Sequence, residues 1–318
     1  MNRWKVWLVV ALLGGLMGTV ATGQTLVSVF DIEPGVAQLG AGGAGLSVVG
    51  GAETIYYNGA TLSQLPGISF SSFYASYLGI ANYTAAALTF RNFGLAAMLF
   101  GSSGITGYDD DGNQTETSLG YSSSAFMFAA GLDPSDLPFL PSFSFDFALG
   151  ARLKALSTKV AEARGAGFSF DLGVWASLPS VSLGPVSLSD VAIAIAAENL
   201  FGVLSYDTTQ ESFGTNLQIG MSVRMFDVLL LAVDLRAVGG TRIGVTYNPV
   251  PTLALRLGAI AKDPASITAG LGVNVEGFQI DYAFVSHPLG GTHRVALTLD
   301  FSALDIGALS RSLRRILP

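Results

Sequence analysis

FQIDYAFVSHPLGGTHRVALTLDF, residues 278 to 301, alternates in steps of two on either side of a turn. Phe278, Ile280, Tyr282 and Phe284 share one parity, and Gln279, Asp281 and Ala283 share the other. Past Ser286–Gly291, the apolar Val295, Leu297, Leu299 and Phe301 oppose Arg294, Ala296, Thr298 and Asp300. Successive side chains of a strand face opposite sides of a sheet, and the cluster of Ser, Pro and Gly between the halves signals a turn. The stretch predicts a hairpin with one apolar face and one face that carries charge. A lone hairpin is not stable in water, so a second sheet or lipid has to cover the apolar side.

The composition favours lipid. The chain has 318 residues, 50% of them hydrophobic and only 12% charged, about half the charged share of ordinary soluble domains. Beyond residue 24 no stretch approaches the ~20 unbroken apolar residues of a membrane helix. Hydrophobicity spread over short alternating runs predicts an all-β chain, a transmembrane antiparallel β-barrel; the soluble alternative is a large β-sandwich or β-helix. There is no cysteine, which removes thiol nucleophiles, zinc-thiolate and iron–sulfur chemistry. The net charge of −7 argues against a nucleic-acid partner. No cofactor and no metal are expected.

Fourteen stretches have strand character: 68–78, 80–90, 92–101, 120–132, 143–156, 165–177, 191–201, 213–225, 228–237, 240–249, 252–261, 266–276, 278–286 and 292–301. An even count returns both ends of the barrel to one side, and closure leaves no edge unpaired in hydrocarbon. Charge parity gives the inward face. Asp146, Arg152, Lys154, Asp171, Arg224, Asp234, Arg236, Arg256, Asp281, Arg294 and Asp300 all oppose apolar neighbours. On the lipid side each charge would cost about 2–4 kcal/mol at the midplane, so all are expected to face the lumen, with Asp281 opposite Arg294 across the last hairpin. The first four strands have no polar face. Phe73, Tyr77, Met98 and Phe100 are expected to line an apolar part of the lumen, either to receive an amphipathic guest or to pack against the segment that precedes the strands.

The ends differ from the middle. Arg3 and Lys5, an apolar run from Val6 to Val20 and small residues at Ala21–Gly23 mark residues 1–23 as a secretory signal. Residues 24–67 do not alternate. Leu39–Gly45 fits GxGxxG, but Glu33-Pro34-Gly35 stands where a dinucleotide fold needs a buried strand; these glycines are expected to let backbone pack tightly inside a closed wall. Residues 52–62 suggest a short helix ending near Asn58-Gly59. In 302–318, Leu304, Ile306, Leu309, Leu313 and Ile316 suggest a short C-terminal helix in the periplasm. Ser102–Leu119 and Gly202–Ser212 are expected as outer loops, and Asp133–Ser142 and Leu178–Asp190 as two long inner turns. The acidic Tyr108–Asn113 lacks the ligand spacing of a calcium loop. His287 and His293 are the only histidines. Neither has a matching serine and acid, so no enzyme is expected.

Gly40–Leu65, GAGGAGLSVVGGAETIYYNGATLSQL, resembles the N-terminal stretch of FadL-like outer-membrane proteins, and Asp281–Phe301 is similar to the close of the PorV/PorQ family within that superfamily. The resemblance implies a fourteen-strand barrel (68–301) with residues 24–67 folded inside as a plug. Gly40, Gly42, Gly43, Gly45, Tyr56, Tyr57, Asn58 and Gly59 would be its signature positions. Asn58-Gly59 stands where the family carries Asn-Pro, which leaves the plug mechanics untransferred. FadL proteins carry long-chain fatty acids and other hydrophobic compounds, whereas PorV-type proteins handle cargo for type IX secretion. The expected location is the outer membrane, and the expected partners are its lipid together with a hydrophobic small molecule or secreted protein cargo. The expected function is binding or passing hydrophobic or amphipathic molecules. An accessory role in secretion, or a mainly structural one, is the alternative.

Overall fold

The computed structural model describes residues 29–77, 79–108, 111–137, 145–183, 186–206 and 209–303. Each of the fourteen stretches read as strand contains one. The strands are β1 (Ser69–Tyr77), β2 (Ala81–Phe90), β3 (Phe93–Tyr108), β4 (Gln114–Leu132), β5 (Asp146–Val160), β6 (Ala163–Leu178), β7 (Val181–Leu183), β8 (Val186–Tyr206), β9 (Gln210–Ser212), β10 (Asn216–Met225), β11 (Leu229–Arg236), β12 (Thr241–Val250), β13 (Leu253–Ala261), β14 (Ser266–Val275), β15 (Phe278–Val285) and β16 (Thr292–Asp300). β7 and β9 are three-residue appendages of β8. The other fourteen pair antiparallel, each with its neighbour, and β1 meets β16 from Ser69↔Asp300 to Ser76↔His293, which closes the barrel.

The wall has two faces. Outside, large apolar residues stand exposed, among them Leu99, Phe126, Leu257 and Ile267, as hydrocarbon-facing positions require. Inside, small residues dominate. In β2 the buried parity is Ala81, Tyr83, Ala85, Ala87 and Thr89. The room this leaves is taken by residues 29–67. They form a 3₁₀ turn (Val29–Asp31), the helix α1 (Val36–Gly40) and two further 3₁₀ turns (Ala52–Tyr56 and Gly59–Gln64). The segment touches opposite walls. Gly42 N–H donates to the Thr268 hydroxyl of β14 at 2.8 Å, and the Asn58 amide donates to the Val174 carbonyl of β6 at 3.3 Å.

Several loop expectations are corrected. β3 and β4 run on to Tyr108 and from Gln114, so most of Ser102–Leu119 is strand. Most of Gly202–Ser212 belongs to β8 and to β9, which pairs with it. Leu178–Asp190 is chiefly the β7–β8 hairpin. In each case the ladder continues past the apolar run because backbone pairing does not need an apolar side chain. Residues 52–62 are two 3₁₀ turns and not one helix. Asn58 breaks them, its extended backbone and side chain capping the second turn through Ala60 N–H at 3.0 Å. The signal stretch, residues 138–144 and the final helix from Leu304 on lie outside the described residues.

The fit depends on inward glycines. A Cβ on Gly150 would lie 2.0 Å from Ala60 N, and one on Gly244 would lie 1.8 Å from Ala41 O. Backbone meets backbone there, with no flexible side chain to give way. Overpacking of this kind costs about 1–3 kcal/mol per site. Gly150→Ala and Gly244→Ala together are expected to loosen residues 29–67, seen as faster amide exchange across that segment. The folded barrel's heat-modifiable mobility on a gel should persist.

Candidate binding chamber and the ion pairs of the lumen

Among the described residues, three ionic groups line the lumen. In the first, Asp171 on β6 takes both Arg152 (2.9 Å) and Lys154 (2.8 Å) of β5, and Arg152 also reaches Glu198 of β8 at 2.5 Å. Arg152 then donates to the Tyr56 carbonyl at 2.6 Å, and Lys154 lies 4.8 Å over the Phe30 ring, so the group holds the internal segment. In the second, Glu33 pairs with Arg236 of β11 and with Arg242 of β12 at 2.9 Å. Arg294 donates to the Glu33 carbonyl at 2.5 Å and also to the Tyr77 hydroxyl. Asp234 accepts the Gly45 and Leu46 N–H groups at 3.0 and 3.1 Å. In the third, Arg256 pairs with Asp281 at 2.7 Å, and Gln279 donates to the same carboxylate at 2.6 Å.

Asp281 is therefore not the partner of Arg294. In the register Asp281 faces Ala296, and Arg294 faces Ala283, because the stagger of the last hairpin is two residues off the expected pairing. Arg224, Asp146 and Asp300 sit at the end of the barrel nearest the chain termini. Arg224 pairs with Asp190 at 2.6 Å, Asp146 is exposed, and Asp300 accepts from Ser302 N–H at 3.0 Å. Phe73 and Met98 are buried, with Tyr77 and Phe100 packed against them, in one cluster with Val29, Val36, Ile55 and Leu62 of the internal segment. Around them Tyr83 is fully buried, 5.0 Å from Phe73 and 6.0 Å from Phe100 between ring centroids.

Of the segment's signature residues, Tyr57 packs on Gly35 and Gly45 and donates to the Gly35 carbonyl at 3.2 Å. Gly40 lies against Gly270, and Gly43 against Arg242 and Glu33. Gly59 lies on the Ala151 backbone. His293 is exposed, 2.7 Å from the Tyr282 hydroxyl, and the His287 ring accepts from Leu289 N–H in its turn.

Sequence reading missed Glu33, Glu53, Glu198 and Arg242. Arg242 was within reach, since it opposes Ile243 and Val245 on one strand. Glu198 sits beside a register shift between β6 and β8, where Asn199 and Phe201 adopt positive φ, and alternation cannot show a bulge. Glu33 and Glu53 lie in aperiodic chain.

Two hollows flank the internal segment. Near the termini, about 300 Å³ is lined by Gln38, Glu53, Arg256 and Asp281 among others. Toward the far turns, a chamber of about 530 Å³ is lined by Phe30, Ile32, Leu39, Tyr56, Tyr57 and Tyr77 together with Arg236, Arg242 and Arg294. Burial pushes the Glu33 carboxyl up, but Arg236 and Arg242 outweigh it and hold the group below the usual range. Glu53 has no such partner. One of its oxygens accepts from Ala37 N–H at 3.1 Å and the other is unpartnered among the described residues. Burial, with Asp281 adding to it, pushes Glu53 up to about 8.

These features define a class: a closed, fourteen-strand antiparallel barrel with an apolar outer face, into whose lumen residues 29–67 pack. No protein-family model matches the sequence, and no curated protein does. Among solved structures the chain is similar to the deltaS2S3 mutant of the TodX monoaromatic hydrocarbon channel, with 12% identity, a TM-score of 0.51 and coverage of 83% of this chain and 97% of that one. It is also similar to the P. putida toluene transporter TodX (12% identity, TM-score 0.47, 83% and 97% covered) and to the Ralstonia pickettii toluene transporter TbuX (14%, 0.42, 85% and 98%). At such identities the likeness is one of fold.

Two outcomes follow from the charges. Asp171→Asn removes the counter-ion of buried Lys154 and leaves Arg152 with Glu198 alone, which costs about 3–5 kcal/mol; urea unfolding from vesicles should show the loss. For Glu53 the folded value stands above the ordinary glutamate value of 4.5, so the folded state binds the extra proton. Its contribution is fully present below about 4.5, declines as pH rises toward about 8 and is flat above. Glu53→Gln should remove that part of the slope in stability against pH.

Proposed function

We propose that this protein binds hydrophobic or amphipathic small molecules in the chamber remote from its termini and passes them across the outer membrane, residues 29–67 acting as a plug. The observation that carries this reading is the chamber's lining, which combines six apolar or aromatic residues, Phe30, Ile32, Leu39, Tyr56, Tyr57 and Tyr77, with three arginines gathered around Glu33. Such a cavity buries an apolar body while orienting a polar or anionic end. In this reading residues 1–23 direct export and the termini face the periplasm. Molecules entering from the far turns meet the chamber first. TodX is described as a monoaromatic hydrocarbon channel, and a cargo of that kind for this chain is part of the proposal. Of the two long inner turns behind the secretion reading, Leu178–Asp190 is a strand hairpin. That reading now leans on the resemblance of the closing stretch.

Ile32→Asp puts a charge among the apolar lining residues of the chamber. Uptake of labelled toluene by cells carrying the variant is expected to fall about tenfold, equivalent to about 1.4 kcal/mol, with unchanged amounts of folded barrel. Unaltered uptake would count against the chamber. Removing residues 25–66 should speed the swelling of liposomes in small sugars; an unchanged rate would mean that the segment does not obstruct the lumen.

A further inference from the structure

On the outer wall, two hollows adjoin where β2 to β5 run side by side. The first, about 470 Å³, is almost wholly apolar. Its floor is a register row of small residues, Ala86↔Ala97 and, past Phe126, Ala155. Leu95, Phe128 and Leu153 form the next row and stand up as one bank. The second hollow, about 350 Å³, begins two residues further along each strand, or about 7 Å toward the far turns. There the outward row is Thr84↔Leu99↔Ser124↔Ser157, with three hydroxyls on a surface that elsewhere presents Leu, Ile and Phe. One step further, Ser122 faces Lys159, and Lys159 faces Arg164 of β6.

That last pair is the unusual feature. Two exposed cations stand directly opposite one another across adjacent strands, an arrangement that repels. Neither has an ion-pair partner among the described residues. Glu162 lies in the turn between them without pairing to either. The chain as a whole carries a net charge of −7, so this spot is locally of the opposite sign. From far turn to mid-wall the order is two cations, three hydroxyls, then an alanine-floored apolar trough.

A membrane lipid with an anionic headgroup has its groups in that order: phosphate, ester carbonyls, acyl chain. We propose that this strip is a docking site for a phosphate-bearing anionic lipid of the leaflet at the far end of the barrel. The phosphate bridges Lys159 and Arg164 and relieves their repulsion. The hydroxyls of Thr84, Ser124 and Ser157 donate to ester carbonyl oxygens, and one acyl chain lies over Ala86, Ala97 and Ala155. The site is on the lipid side of the wall and does not depend on what the lumen carries.

The test uses the full chain in bilayers of equal parts phosphatidylglycerol and phosphatidylcholine, with the lipids retained by the released protein counted by native mass spectrometry. Two cations near a lipid headgroup are expected to favour the anionic lipid by about tenfold. Lys159→Ser with Arg164→Ser should bring the two lipids to parity. Ala97→Leu with Ala155→Leu, which fills the trough, should lower retention of both lipids. Arg91→Ser, which removes a cation at the opposite rim, should leave the preference intact. Heat-modifiable mobility reports that each variant is folded. Parity in the unaltered protein, a preference that survives the double cation variant, or equal loss in Arg91→Ser would overturn the site. So would a second copy of the chain held in place of lipid.

Discussion

Hydrocarbon offers no hydrogen bonds, so a strand edge facing it leaves each N–H and C=O at a cost of several kcal/mol. The pairing of β1 with β16 removes that edge, and everything else about this protein depends on it. Once the wall closes, inside and outside are defined for every residue by parity alone. A charge then has one place to go. That is why so plain a pattern as Arg294 opposing Val295 and Leu297 carries so much structural information.

Closure creates a second problem, since fourteen staves enclose a wide lumen and the first four line it with apolar side chains. Water against Phe73, Tyr83 and Met98 would be unfavourable, by about 25 cal/mol for each Å² left wet. The internal segment meets this by being two-sided itself. Val36, Ile55 and Leu62 turn to the apolar wall, while Glu33 and its peptide carbonyls turn to the arginines of β5, β11, β12 and β16. Alanine and glycine on the inner wall set how closely the two can approach.

Fold and site were not equally legible. The strands declared themselves because each repeats a period of two over about ten residues. The apolar lumen residues Phe73, Tyr77, Met98 and Phe100 could be picked out because both faces of their strands were greasy. Partners could not. Asp281 was assigned to Arg294 on proximity in the hairpin, yet a stagger of two residues sends it to Arg256, 25 residues away in sequence. Glu33 and Glu53 have no period to betray them, since their positions follow from how an irregular segment threads the lumen. Parity gives a side chain its face, and only three-dimensional register gives it a neighbour.

The two sets of contacts on the segment also differ in what it would take to undo them. Its apolar side is held by burial spread over many residues of β1 to β5, each contributing little and none dispensable to the rest. Its polar side toward the far chamber is held at one carboxylate, Glu33, shared by Arg236 and Arg242. Moving the whole segment would wet the apolar wall and strand the ions together. Moving only Val29 to Leu39 would leave the 3₁₀ turns at Ala52–Tyr56 and Gly59–Gln64 seated on β2 to β6, but would break the Glu33 junction, the hydrogen bonds from Arg294 and Tyr83 to the Glu33 and Ile32 carbonyls, and the packing of Val29 and Val36. The Glu33 end of the segment therefore lies beside the larger hollow, with Phe30, Ile32 and Leu39 in that hollow's lining and Val29 and Val36 buried against the wall.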